Sequence, residues 1–152
     1  MTGSEPKQPH SEHGREVRDL LHKHGLRYSR AREAILLAFR QPDSGHLSAE
    51  QLHQSLRASG EDISLSTVYL NLTVLRDAGL LREFKGASGQ SVFDVSAHPH
   101  HHLICADTGE IHDVPEIEVN GMPLGKFLQE EIRRRTGWEI EEPAISLTGR
   151  KI

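Results

Sequence analysis

Apolar positions recur along this chain with two different periods, and the change of period divides it. From Gly14, the positions Val17, Leu20, Leu21 and His24 stand at i, i+3, i+4 and i+7, the repeat of one helix face, and Gly25 ends the segment. Ser29 is placed to cap a second helix. Its inward stripe is Ala31, Ala34, Ile35, Ala38 and Phe39, with Arg30 and Arg32 left outside, and it stops near Gln41-Pro42-Asp43-Ser44-Gly45. Ser48 and Gln51 have capping-box spacing and open a third helix through Leu52 and Leu56 to Gly60, which leaves His46 on a short loop just ahead of it. Ser64 caps a fourth helix with Val68, Leu72 and Leu75 inward and Gly79 as its stop. The outward face of that helix carries Ser66, Thr67, Tyr69, Leu70, Asn71 and Thr73. It is small, polar or aromatic rather than charged, and it suits lying against another surface.

Beyond Gly79 the period falls to two. Leu80 to Phe84 and Ser91 to Val95 read as strands joined by a flexible tip, Lys85-Gly86-Ala87-Ser88-Gly89-Gln90. Helices in series followed by such a hairpin are the pattern of a winged helix-turn-helix, whose second helix enters the major groove of DNA. After Ala97, His101–Ala106 and Glu110–Val114 read as strands around an Asp107-Thr108-Gly109 turn, and 116–123 as a connector. An amphipathic helix marked by Leu124, Phe127, Leu128 and Ile132 then runs to Gly137, with strand-like segments at Trp138–Ile140 and Ala144–Leu147. The expected fold class is α+β: a disordered tail over 1–13, a winged-helix DNA-binding domain over 14–96, and a small α/β dimerisation and metal-binding domain over 97–152. A domain of that last size buries too little alone and is expected to pair with a second copy.

Charge alters this picture in one respect. The net charge of −4 argues against a nucleic-acid partner, but residues up to Ser96 hold 12 Lys and Arg against 12 Asp and Glu, and the remainder 6 against 10. The whole deficit therefore lies in the second part. Gly14–Arg40 alone holds seven basic residues and three acidic ones, and Arg15, Arg18, Arg27, Arg30 and Arg32 are the candidate phosphate contacts, with Lys85 on the wing. The one cysteine, Cys105, permits no intrachain disulfide. A polar N-terminus and the lack of any long apolar run lead to the expectation of a cytoplasmic protein without membrane association.

The chemistry concentrates between Asp94 and Asp113, which holds five of the eleven histidines. Alternation along a strand sends His100 and His102 one way and His101 the other, with Asp113 on the next strand and Asp94 at the end of the preceding hairpin. With His46 added, three imidazoles and two carboxylates make a shell that suits Fe(II) or Mn(II), and Zn(II) competes for any such set. No His-Glu-x-x-His helix, activated nucleophile or Gly-rich phosphate loop is present. The residues thus point to a metal-binding, DNA-binding protein and not to an enzyme. The alternative from another class is a metalloenzyme or metal-storage protein that does not use DNA.

These residues carry a resemblance. Gly25-Leu26-Arg27, His46-Leu47-Ser48-Ala49-Glu50, Ser66-Thr67-Val68-Tyr69, Ala78-Gly79-Leu80, Ser91-Val92-Phe93-Asp94 and His100-His101-His102-Leu103-Ile104-Cys105 resemble the ferric uptake regulator superfamily, metal-dependent bacterial transcription repressors. The resemblance implies a homodimer that binds an AT-rich palindromic operator, a regulatory ion at His46, Asp94, His100, His102 and Asp113, and contact of Tyr69 with DNA beside Ser66, Thr67 and Asn71. Three departures stand out. The first cysteine pair of the family's structural zinc is Cys105 and Thr108 here and the second is missing, so a structural zinc held by four cysteines is not expected. The family's additional dimerisation-domain site meets Pro99 and Pro143, which leaves only a weak second site at His101 and Glu118. Leu70 stands where an arginine is common. Missing cysteine pairs resemble the manganese-responsive branch, and Asp94 with Asp113 the peroxide-sensing one; a zinc- or peroxide-responsive regulator stays open beside manganese or iron.

Overall fold

The computed structural model describes residues 12–42, 45–95, 100–141 and 143–152. The N-terminal tail to Ser11, and with it His10, lies outside the described residues, as does His98. The chain forms two compact units, Met1–Glu83 with Phe93–Val95, and Phe84–Val92 with Ser96–Ile152. Among the described residues no helix is long and apolar enough to cross a membrane.

In the first unit, α1 (Glu12–Lys23), α2 (Arg30–Phe39), α3 (Ala49–Ala58) and α4 (Leu65–Asp77) follow one another with the caps expected from sequence. The Ser29 hydroxyl accepts the Arg32 amide, Ser48 and Gln51 make a reciprocal capping box, and Ser64 accepts the Thr67 amide. Each cap satisfies an amide that the first helical turn leaves without a carbonyl partner, which is why helices begin at these serines. Gly25, Gly60 and Gly79 end three helices at φ of +73, +83 and +81°, a conformation a side chain would strain. The stripes read from sequence meet in one core: Val17, Leu21, Ile35, Leu52, Val68, Leu72 and Leu75 are fully buried within it, closed by Leu80, Leu81 and Phe93.

A strand that sequence reading missed, β1 (Leu47–Ser48), joins the wing strands β2 (Arg82–Lys85) and β3 (Ser91–Asp94) in a sheet of order β1-β3-β2. Two residues are too few to show a period, so no pattern could reveal it. Asn71 requires a correction. Read as outward-facing, it is only 7% exposed. Its amide donates to the Thr67 carbonyl at 2.9 Å and accepts from Arg32 Nε at 3.2 Å, which satisfies both ends of a buried side chain.

In the second unit, β4 (His102–Cys105) lies between antiparallel β5 (Ile111–Asp113) and parallel β8 (Ser146–Gly149). Gly109, at φ +74°, makes the turn between β4 and β5. The expected connector contains a small hairpin, β6 (Glu118–Val119) and β7 (Met122–Pro123), turned by Asn120 and Gly121 at positive φ. It leads into α5 (Leu124–Thr136), which Gly137 ends at φ +76°. Trp138–Ile140 is not a strand: it finds no ladder partner, and Trp138 is 74% exposed. The final strand sits two residues later than its expected start.

Gly125 is buried at the start of α5, and a Cβ there would stand 3.0 Å from Pro143 Cγ and 3.1 Å from the Pro143 carbonyl oxygen. Gly125→Ala is therefore expected to destabilise the protein by about 1 kcal/mol, the overpacking cost exceeding the gain in helix propensity. A melting temperature equal to or above wild type would show that the Pro143 segment yields.

Candidate metal centre

His46 immediately precedes β1, and Asp94 closes β3, the strand beside it in the sheet. That pairing brings His46 Nε2 to 3.8 Å from Asp94 Oδ2. Asp94 is 3% exposed, and a carboxylate so buried calls for a cationic or hydrogen-bonding neighbour.

The second unit assembles three donors by strand register. His102 is the Cα partner of Asp113 across β4 and β5. The Val114 amide donates to the His101 carbonyl, and the His102 amide is spent on Ile145 on the far side, so His102 and Asp113 form a non-hydrogen-bonded pair, the kind whose side chains stand closest. His100 joins them two residues earlier. His100 Nε2 lies 2.9 Å and His102 Nε2 3.7 Å from the same atom, Asp113 Oδ1, and the three ligand atoms fall within 4.8 Å of one another. Ligands bonded at 2.0–2.2 Å to one ion stand roughly 3 to 4.3 Å apart, so these residues fit a shared first-row divalent cation. Both imidazoles approach Asp113 through Nε2, the atom each would offer to an ion. The side chain of His102 is 7% exposed and that of Asp113 59%, so the trio has a buried base and an open rim.

His101 turns the other way, as alternation requires. It is buried, and its Nδ1 accepts the Ile145 amide at 3.1 Å, pinning the approach to β8. Glu118 is exposed on β6, and among the described residues neither joins a group of three or more metal-binding side chains. At the remnant of the cysteine pair, the Thr108 hydroxyl donates to Cys105, as do the Thr108 and Asp107 amides, and these bonds hold the thiol below its usual pKa.

On α4, the helix expected to meet DNA, Tyr69 and Ser66 are exposed, and Thr67 is half-buried with its hydroxyl bonded to Ser64. The Tyr69 hydroxyl donates to Glu50, a partner not singled out in the sequence; the bond raises the phenol and lowers the carboxyl from their ordinary pKa values. Arg15 and Arg27 are exposed. Arg18 lies over the Tyr28 ring at 4.2 Å, and Arg30 pairs with Glu61 at 2.7 Å. Arg32 is tied to Asn71 and donates to the Arg27 carbonyl at 2.8 Å. Lys85 on the wing donates to Ser91 at 3.1 Å.

Capped helices in series, a wing, and converging imidazole and carboxylate donors define a metal-responsive transcription regulator of the winged-helix type. Residues 23–148 match the model of the ferric uptake regulator family, and the chain belongs to that family. It is 34% identical over 132 residues to the ferric uptake regulation protein of Pseudomonas aeruginosa, covering 86% of this chain and 94% of that one. The structure of the ferric uptake regulator from Pseudomonas aeruginosa with manganese has a TM-score of 0.71 at 32% identity, over 89% of this chain and 97% of that one. A zinc-bound manganese uptake regulator has a TM-score of 0.63 at 27% identity, over 90% and 98%. Proteins of this family regulate transcription and are not enzymes.

Proposed function

We propose that the protein is a metal-activated repressor that senses Fe(II) or Mn(II) through His46, Asp94, His100, His102 and Asp113, and binds an AT-rich palindromic operator as a cytoplasmic homodimer. The observation that carries this reading is the convergence of His100, His102 and Asp113 on one small volume. The mixed nitrogen and oxygen donor set favours iron and manganese over a thiolate-selecting metal, and the relatives named for iron and manganese regulation support it. When bound, the ion supplies positive charge that holds carboxylate and imidazole donors together. His46 and Asp94 belong to the unit that carries α4, and the other three to the unit that carries β4.

Dimerisation is supported by the second unit's thin core. Among its described residues the only buried large apolar side chains are Val92 and Ile104, while Leu103 and Leu147, side by side in register, are 41% and 46% exposed.

At the DNA, Tyr69 and the 65%-exposed Leu70 present an aromatic and an apolar surface on α4. The thymine methyl is the one apolar group in the major groove, which fits an AT-rich operator. Arg15, Arg18, Arg27, Arg30, Arg32 and Lys85 serve the phosphates. Replacing operator thymines by uracil is expected to weaken wild-type binding severalfold and to leave Leu70→Ala unaffected; equal losses in both proteins would remove Leu70 from base reading.

The deciding experiment is a fluorescence titration of the intact protein with AT-rich duplex at fixed salt, with and without Mn(II) or anaerobic Fe(II). Binding that requires metal and weakens as salt rises supports the proposal. Metal uptake without any effect on DNA binding overturns it.

A further inference from the structure

We propose that Phe84 is a positioning residue for the metal ligand His102 and ties the wing to it; this rests on the reading of His102 as a ligand. The Phe84 and His102 rings are stacked, with centroids 3.9 Å apart and planes 11° from parallel. His100 meets the His102 ring edge-on, at 4.4 Å and 63°. The ring torsion of histidine is broad, with no sharp rotamer to aim Nε2. Strand register sets where the His102 imidazole begins, and the stacked phenyl ring restricts how it is turned. Most ligand histidines are held by a hydrogen bond to the far nitrogen. A flat phenyl face adds a constraint on the plane of the imidazole, and with it on the direction of Nε2 toward Asp113.

The stack also discriminates between states. An imidazole bound to a divalent cation is more electron-poor than a free one, and the negative face of a parallel phenyl ring favours it. Phe84 therefore stabilises the metal-bound form more than the metal-free form, which is the condition for a contact to raise affinity. Its place in the chain adds the regulatory consequence. Phe84 lies on β2 one residue before Lys85, and the segment Phe84–Val92, which holds the tip of the wing, belongs to the same compact unit as the ligand strand β4. The orientation of a ligand and the position of a DNA-facing hairpin thus share one contact.

The test compares wild type, Phe84→Leu, Phe84→Ile, Phe84→Tyr and His102→Ala as full-length proteins. Mn(II) affinity is measured anaerobically by chelator competition, the visible spectrum with Co(II) as probe, and folding by circular dichroism. Phe84→Leu is expected to bind Mn(II) about tenfold more weakly, in the range seen when a ligand's supporting residue is lost, with a shifted Co(II) spectrum. Phe84→Tyr, which keeps the ring, is expected to restore both. Phe84→Ile keeps apolar bulk and suits a strand, and it carries the same comparison if the leucine variant does not fold. A folded Leu or Ile variant with wild-type affinity and spectrum overturns the proposal while leaving the site intact, provided His102→Ala has lost metal. His102→Ala binding as wild type does would instead remove the site, and this proposal with it.

Discussion

His102→Ala is expected to weaken Mn(II) binding by more than about a hundredfold, beyond the roughly 10- to 100-fold lost with residues that only support a ligand, and to abolish metal-dependent DNA binding. Its Nε2 shares Asp113 Oδ1 with His100, and it is the most buried of the three donors. Water cannot readily take its place. Asp113, whose side chain is 59% exposed, can be replaced in part by solvent, so Asp113→Ala is expected to cost less. The β4 ladder should survive in both variants, because the His102 amide to Ile145 and the Val114 amide to the His101 carbonyl are main-chain bonds. Chelator competition, DNA anisotropy and circular dichroism separate these effects. A folded His102→Ala protein that still binds operator in a metal-dependent way would refute the assignment, as would an Asp113→Ala variant harmed more than it.

Leu72→Ala is expected to lower the stability of the first unit by about 2 to 5 kcal/mol, a large part of the roughly 5 to 15 kcal/mol that holds a domain folded. Leu72 is fully buried beside Leu75 in the core closed by Leu80, Leu81 and Phe93, and its truncation leaves a cavity that the capped helices cannot easily fill. Three residues earlier on the same helix, Tyr69 is 46% exposed, and its hydroxyl is bonded to surface Glu50. Tyr69→Ala is accordingly expected to change stability by no more than about 0.5 kcal/mol while reducing DNA affinity. Urea denaturation and the DNA titration, run on both variants, read the two faces of α4 independently. Equal stability losses at the two positions would mean that α4 is not oriented as described.

The caps at Ser29, Ser48 and Ser64 and the stops at Gly25, Gly60 and Gly79 were legible because each is a local rule satisfied within one turn. Alternation likewise separated His101 from His100 and His102, and the turn at Gly109 set Asp113 opposite His102. Other features depend on contacts with no local signature. The two-residue β1 brings His46 to Asp94, and nothing in its length announces a strand. Asn71 lies on the boundary between the faces of α4, where its side chain turned inward to Arg32 and the Thr67 carbonyl. Glu50 and Phe84 gave no signal, since neither a lone carboxylate on a helix nor a phenylalanine in a strand indicates its partner.

The sequence by itself determined where helices start and stop, which stripes are buried, and which metal-binding residue types recur at strand spacing, since all of these follow from the periods and caps of a single chain segment. Only the tertiary structure decided which nitrogens converge on Asp113, which ring holds His102 flat, and which arginines are already tied to acids. Those outcomes depend on strand register and side-chain packing between segments far apart in the chain, where pattern carries no distance.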